Sequence, residues 1–350
     1  MARRVYLHVG TMKSGTSFLQ EKLLANRDGL RAQGVLFPGA GWESQVRAVQ
    51  DVLGTRRNDV DQPARLDGAW ERLRAEIAAW DGDVVVSMEL LAACRPRRAR
   101  RIVQALQPAE VHVVVTARDL GRTLPAMWQE SVQTYRSWTW EEYVAGVTQG
   151  DPEQPGPAYS FFRQQDLVAI VRKWRRAAGR DNLTLVTVPP PGAAPDELWH
   201  RFCAATGIDP QHCPRPGRRD NQSLGAVSAE MMRRLNVALA DSGIGWGEYS
   251  RFVKRPLAKR VLASRRATEP PIGFTRRSYP KAWLAEQSAR TVARLTRAQV
   301  RVVGDLADLT PVRVLGSSPS SAPVEAQLEA AVAGLASVLR RQVQAARARE

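Results

Sequence analysis

The 350-residue chain is 44% hydrophobic, enough for one large domain or two small ones, and its formal net charge of +16, mostly arginine, favours phosphorylated or polyanionic partners. Three scattered cysteines without a CxxC pair, and four histidines in all, exclude a disulfide framework, give no expectation of a metal site and fit a reduced, cytoplasmic compartment. The N-terminus lacks an apolar run of signal-peptide length, and no stretch has the apolar length to span a bilayer.

The chain opens as strand, loop and helix. Val5, Leu7 and Val9 lie in a β-prone run, a glycine loop follows, and Phe18, Leu19, Leu23 and Leu24 recur at helical spacing from Thr16 to Asn26. Residues 34–39 read as a brief extended segment closed by turn residues, and residues 40–62 as a loop or short helix. A helix is predicted over 64–80, with Leu66, Trp70, Leu73, Ile77 and Trp80 on one face. Residues 83–89 read as a buried parallel strand with Glu89 at its C-terminal end, and the run Arg95–Arg101 opens the next helix. Val111–Thr116 is another strand, ending at Ala117-Arg118-Asp119.

Helices are predicted at 122–136, 139–147 and 160–178, then a strand from Asn182 to Val188 stopped by three prolines. Beyond Pro195 the chain reads as helical at 195–206, 223–241 and 278–299, with a short strand at 300–303. Strands alternating with helices predict a three-layer α/β/α fold around a central parallel sheet, P-loop-like, with a helical C-terminal part. One domain is expected over 1–315, a linker at 316–323 and a C-terminal helix or tail at 324–350, its helix covering 324–348. That tail is read as a surface for self-association, and hence for a homodimer, or for contact with an anionic surface; the plain alternative is a helix packed on its own domain or a partly disordered tail.

A strand ending in glycine and feeding a helix gathers backbone N–H groups and the positive end of the helix dipole at one point, which is a ready anion site. The loop here is Gly10-Thr11-Met12-Lys13-Ser14-Gly15-Thr16-Ser17. Gly10 and Gly15 fit the two glycines of GxxxxGK[ST], but Thr16 stands where that pattern has its lysine. The cation is Lys13, inside the loop, so a kinase or NTPase reading loses its central residue.

Met12-Lys13-Ser14-Gly15-Thr16-Ser17, followed by Phe18-Leu19-Gln20, resembles the 5′-phosphosulfate loop of sulfotransferases, with Met12 in place of the usual proline. The resemblance covers about the first 210 residues and implies 3′-phosphoadenosine 5′-phosphosulfate (PAPS) as sulfuryl donor, with no metal needed. It also implies an arginine at a strand end and a serine about eight residues on, both for the 3′-phosphate. Arg118 fills the first slot and Ala126 the second, so Thr123, Gln129 or Ser131 on the same helix are substitutes, Ser131 first among them. The alternative for Arg118 is a salt bridge with Asp119 or Glu130.

Lys13 would then stabilise charge on the leaving oxygen, and an acceptor hydroxyl or amine of a glycan, lipid or small natural product would need a base. Glu89 is the first candidate and His8 the second; Glu89 otherwise orients Lys13 or caps a helix, and His8 otherwise packs internally. Lys254-Arg255 and Arg276-Arg277 are candidates to cover the nucleotide. Trp42, Trp128, Trp138 and Trp140 are candidates to line the acceptor cleft. A nucleic-acid-binding reading of the Arg95–Arg101 run lacks interleaved aromatics and a recognisable binding motif, so no specific nucleic acid is expected.

Overall fold

The computed structural model describes residues 1–54, 68–217, 223–275 and 278–347. Six strands form one wholly parallel sheet in the order β2-β3-β1-β4-β5-β6. They are β1 (Arg4–His8), β2 (Val35–Leu36), β3 (Asp83–Ser87), β4 (Glu110–Ala117), β5 (Leu183–Thr187) and β6 (Arg301–Val303). Helices cover both faces, so the central strands are buried throughout and read as nearly continuous apolar runs. Alternation still divides them. Val5, Leu7, Val84, Val86, Val113 and Val115 point into one core, while Tyr6, Val85, Val114 and Val186 point into the other.

The first core lies under α3 (Trp42–Leu53), α4 (Ala69–Ala79), α5 (Pro96–Ala105) and α9 (Leu167–Ala178). The second lies under α1 (Thr16–Ala25), α2 (Arg27–Ala32) and α10 (Glu197–Thr206). A third core joins α6 (Leu120–Gln133), α7 (Trp140–Gln149), α8 (Pro157–Gln165), α11 (Ala226–Ala238) and a π-helical run Tyr249–Leu262. After α12 (Lys281–Arg297), α13 (Val324–Arg347) closes the chain against α11 and the π-helical run, burying Ala330. The alternating strands and helices therefore form the expected three-layer fold, with helical elaboration toward the C-terminus.

Several expected elements differ in extent. Residues 42–53, expected as loop or short helix, form three turns of α3, and residues 55–62 lie outside the described residues. The helix expected at 64–80 runs from Ala69, after Gly68 in the left-handed region, and residues 64–67 lie outside the described residues. The single helix expected at 160–178 is two, because Asp166 leaves helical geometry and its side chain accepts the Ala169 N–H at 2.9 Å, starting a new helix. The segment 316–323, expected as a linker, is instead pinned to the domain. Ser317 bridges Ile272, and the Ser318 and Ser320 hydroxyls donate to Glu141, the first at 2.6 Å.

Candidate functional site

β1 is the pivot of the sheet: the chain first builds β2 and β3 on one side of it and then crosses to β4 on the other. That reversal opens a crevice beyond the C-terminal ends of β1, β3 and β4, where open α/β sheets bind ligands. The glycine loop lies in that crevice. Its base continues the pairing with β4, Thr116 N–H donating to Gly10 O at 2.9 Å and Thr11 N–H to Thr116 O at 2.7 Å.

Backbone conformation explains the two glycines. Gly10 has φ 81° and Gly15 φ 84°, values that disfavour a side chain. A Cβ on Gly10 would stand 2.8 Å from Glu89 Cβ. Lys13 also has a positive φ, 62°, which costs energy for a non-glycine residue and needs fixing from outside. Three donors hold the segment. Ser14 Oγ donates to Thr11 O at 2.6 Å, Gln165 Nε2 to Met12 O at 2.8 Å, and Arg118 NH1 to Lys13 O at 3.3 Å. Three consecutive carbonyls are thereby engaged as acceptors, which reduces the negative potential they would present to an anion. Gly15 begins α1 without a side-chain cap, leaving the first-turn N–H groups for a ligand.

Met12 is explained by packing, since its side chain contacts the third core and ties the loop to the helical part. Ser14, expected to offer its hydroxyl to an anion, is fully buried and turned inward instead, within 2.5 Å of Thr116 Oγ1. Thr11 and Thr16 are buried as well, and Ser17 is half-buried.

Above the loop, Lys13 Nζ donates to Glu130 Oε2 at 2.7 Å, and Lys254 Nζ donates to Glu130 Oε1 at 3.0 Å. Burial alone would raise the Glu130 pKa, but Lys13, Lys254 and Lys259 together hold it well below the usual carboxylate range. The Lys259 pKa is lowered too, to about 8, first by burial and then by the charge on Lys13. Glu130 and Lys259 carried no sequence signal tying them to the loop. Lys254 did appear as a covering candidate, and the π-helical run brings it to the site; Arg276-Arg277 lies outside the described residues.

Arg118 follows the last residue of β4. Its salt-bridge alternatives are both taken by others: Asp119 pairs with Arg122 and caps α6, and Glu130 holds Lys13 and Lys254. Arg118 Nε is buried without a partner, and burial followed by the Arg122 charge lowers its pKa to about 10. An arginine that donates once and keeps a buried, unpartnered N–H has donor capacity left for an oxyanion. Thr11, Arg118, Gln165, Ser288 and Thr291 line a cavity beside it. Ser131 does not reach Arg118; its hydroxyl donates to Trp128 O at 2.7 Å in its own helix. Thr123, in the first turn of α6, is the nearer candidate, its Oγ1 lying 3.5 Å from Arg118 O.

The two candidate bases have opposite surroundings. His8 is fully buried, Nδ1 at 2.7 Å from Ser87 Oγ and Nε2 at 3.0 Å from Thr116 Oγ1, and burial pushes its pKa down to about 3. Both ring nitrogens are occupied, so His8 supports the Thr116–Ser14 contact under the loop and presents no free nitrogen to an acceptor. Glu89 is half-buried at the crevice, where Gln20 Nε2 donates to it at 3.0 Å. Burial raises its pKa, opposed by Gln20 and Lys13.

The aromatic candidates divide too. Trp128 and Trp140 are core residues, packed edge to face at 5.8 Å between ring centroids, and cannot line a cleft. Trp138 is half-buried and Trp42 exposed. The Arg95–Arg101 run is an exposed helix face over buried Ala99, Ile102 and Val103. Among the described residues no group of three or more His, Cys, Asp or Glu is gathered to hold a metal, and no helix is long and apolar enough to cross a membrane.

Fold and site together define an α/β protein with a glycine loop at the switch point of a parallel sheet. No family model matches the chain, and no curated protein matches it. Among solved structures, a sulfotransferase from Alicyclobacillus acidocaldarius is similar over 69% of this chain and 96% of that one, at 15% identity and a TM-score of 0.42. A likeness of that depth carries no functional weight, and function is read from the site.

Proposed function

We propose that the chain is a PAPS-dependent sulfotransferase acting on a hydroxyl or amine of a glycan, lipid or small natural product. The observation that carries this reading is the placement of Lys13 inside the loop, held at a positive φ and backed by Lys254 and Lys259, with Arg118 and its unpartnered Nε at the neighbouring strand end. A phosphosulfate needs a cation beside the bridging oxygen and N–H donors around the phosphate. Lys13 supplies the first, and the uncapped start of α1, Gly15 through Ser17, supplies the second. Arg118, with Thr123 beside it, is assigned to the 3′-phosphate.

In the reaction the acceptor oxygen or nitrogen forms a bond to sulfur as the bond from sulfur to the bridging oxygen breaks. That oxygen leaves on the 5′-phosphate, its charge stabilised by Lys13, and the acceptor proton passes to Glu89. A carboxylate whose pKa is raised by burial suits that role near neutral pH. His8 serves by supporting Ser14 from below.

Thermal melting tests the reading. Adenosine 3′,5′-bisphosphate should raise the melting temperature more than ADP does, because only the former engages Arg118 and the loop together. A larger shift with ADP would replace this reading with a phosphoryl-transfer one.

A further inference from the structure

The outer face of α13 carries Val324, Leu328, Val332, Leu335, Leu339 and Val343, each 49–63% exposed. The opposite face is the one that packs at home: Gln327 and Ala330 are buried, and a Cβ on Gly334 would lie 2.5 Å from Leu257 Cδ1. The exposed set is therefore a second apolar stripe, about 100° wide and roughly 28 Å long by helix geometry. A stripe this long does not belong to an isolated solvated helix.

Its spacing is 4, 4, 3, 4 and 4 residues, which reads the same from either end. The midpoint falls between Ala333 and Gly334, so Val324 and Val343, Leu328 and Leu339, and Val332 and Leu335 are equidistant from it in pairs. A helix with such a stripe pairs with an antiparallel copy of itself in full register, which is the self-complementary patch a two-fold dimer requires.

Charge selects the same arrangement. Glu325 and Glu329 flank the stripe near its start and Arg340 flanks the same side near its end, and all three are exposed. In an antiparallel pair, like flanks face each other, so Arg340 of one copy lies between the positions of Glu325 and Glu329 on the other. A parallel pair would set the acidic ends together and the basic ends together. Antiparallel packing also opposes the two helix dipoles. Burying six half-exposed aliphatic side chains from each copy removes roughly 1,200 Å² in total, the lower end of the range for specific, stable interfaces. The glutamates on the flank make an anionic membrane surface a poor occupant by comparison.

From this stripe, its symmetric spacing and its charge order we infer that α13 is a self-association surface, on which a second copy of this chain docks antiparallel. The test is sedimentation velocity on the full chain from ~1 to ~100 μM, a span suited to an interface of this size. A dimer is expected. L335E, which sets two carboxylates at the dyad, should weaken it at least ~10-fold while far-UV circular dichroism stays unchanged. R340E should weaken it less, and adding E325R and E329R to R340E should restore it.

Orientation is read by oxidative crosslinking, since all three native cysteines are buried. Differently tagged V324C and V343C copies should crosslink to each other, and V324C should not crosslink to itself. A monomer throughout the concentration range, self-crosslinking of V324C, or a monomer that is instead captured by anionic vesicles through the Leu335 face would each overturn the inference.

Discussion

Glu130 is the residue whose replacement separates two ideas about the loop. Its carboxylate accepts from Lys13 at 2.7 Å and from Lys254 at 3.0 Å, so it occupies the cation that the proposed function assigns to a phosphosulfate. An anion seated at Lys13 would stand about 5 Å from this carboxylate, and two unit charges at that distance repel by ~3 kcal/mol at an effective dielectric of 20. The Glu130 side chain is 14% exposed and that of Lys13 26%, so solvent screens part of this. A residue of ~1.5 kcal/mol corresponds to roughly tenfold in affinity. Glu130→Gln should therefore bind adenosine 3′,5′-bisphosphate about tenfold more tightly. The same change leaves Lys13, Lys254 and Lys259 facing one another, which should cost ~2 kcal/mol of stability and a melting temperature lower by several degrees. Titration calorimetry and thermal melting read the two effects, which have opposite signs. Weaker binding together with an unchanged melting temperature would refute the reasoning, because it would mean that Glu130 positions Lys13 for the ligand and does not compete with it.

Lys13→Ala should abolish sulfuryl transfer with far-UV circular dichroism unchanged, and near-normal turnover would remove Lys13 from the mechanism. Arg118→Ala should weaken adenosine 3′,5′-bisphosphate strongly and AMP little, compared by calorimetry; equal losses would detach Arg118 from the 3′-phosphate. Glu89→Gln should lower turnover with little change in donor affinity, and a larger kinetic effect of His8→Ala would reverse the assignment of the base. His8 also predicts an acid limb in stability: its folded pKa of about 3 lies below its ordinary 6.5, so its contribution is whole above 6.5 and falls by up to ~1.4 kcal/mol per unit as pH drops from there toward 3. Denaturant melts at pH 4.5–6.5, above the range where Glu130 titrates, should show this slope in the wild type and less of it in His8→Gln; Glu89, whose pKa is raised, acts in the opposite sense in both proteins.

The sheet was legible because a strand buried on both faces needs an unbroken apolar run, and Val84–Val86 and Val113–Val115 supply one. α3 was hidden for a matching reason. Its buried face includes Gln45, a polar residue that interrupts the apolar period. Gln45 is tolerated there because Nε2 donates to Pro38 O at 3.0 Å and Oε1 accepts from Ser87 N–H at 2.9 Å. Pro38 lies outside the helix and Ser87 is 42 residues on, so the pattern could not announce the helix. The break at Asp166 was closer to hand, since an aspartate before an apolar period is a helix-start signal. The apolar residues on both sides, Phe161 and Phe162 before it and Leu167 and Ile170 after it, masked the interruption.

The site divides along the same line between local and distant information. The loop is contiguous, so its glycines and lysine are readable as a motif, and Arg118 is readable from its place at a strand end. What surrounds Lys13 is not local: Glu130 lies 117 residues beyond it, and Lys254 reaches Glu130 across 124 more. Pro256 stands inside the run that carries Lys254 and Lys259, and a proline argues against a helix unless the turn is widened, as the π-helical geometry does here. That widened run has a consequence for the anion site. Arg118 immediately precedes α6 and Glu130 lies on it, with Asp119 fixing the helix start through Arg122 N–H and Val312 N–H, both at 3.0 Å. Arg118 and Glu130 are thus held at a set separation by α6, while Lys254 and Lys259 come from a different element of the third core. Changes in how the π-helical run packs on α6 would alter the charge around Lys13 without moving Arg118. On the proposed reading, the cation strength of the loop is therefore adjustable independently of Arg118 and the 3′-phosphate assigned to it.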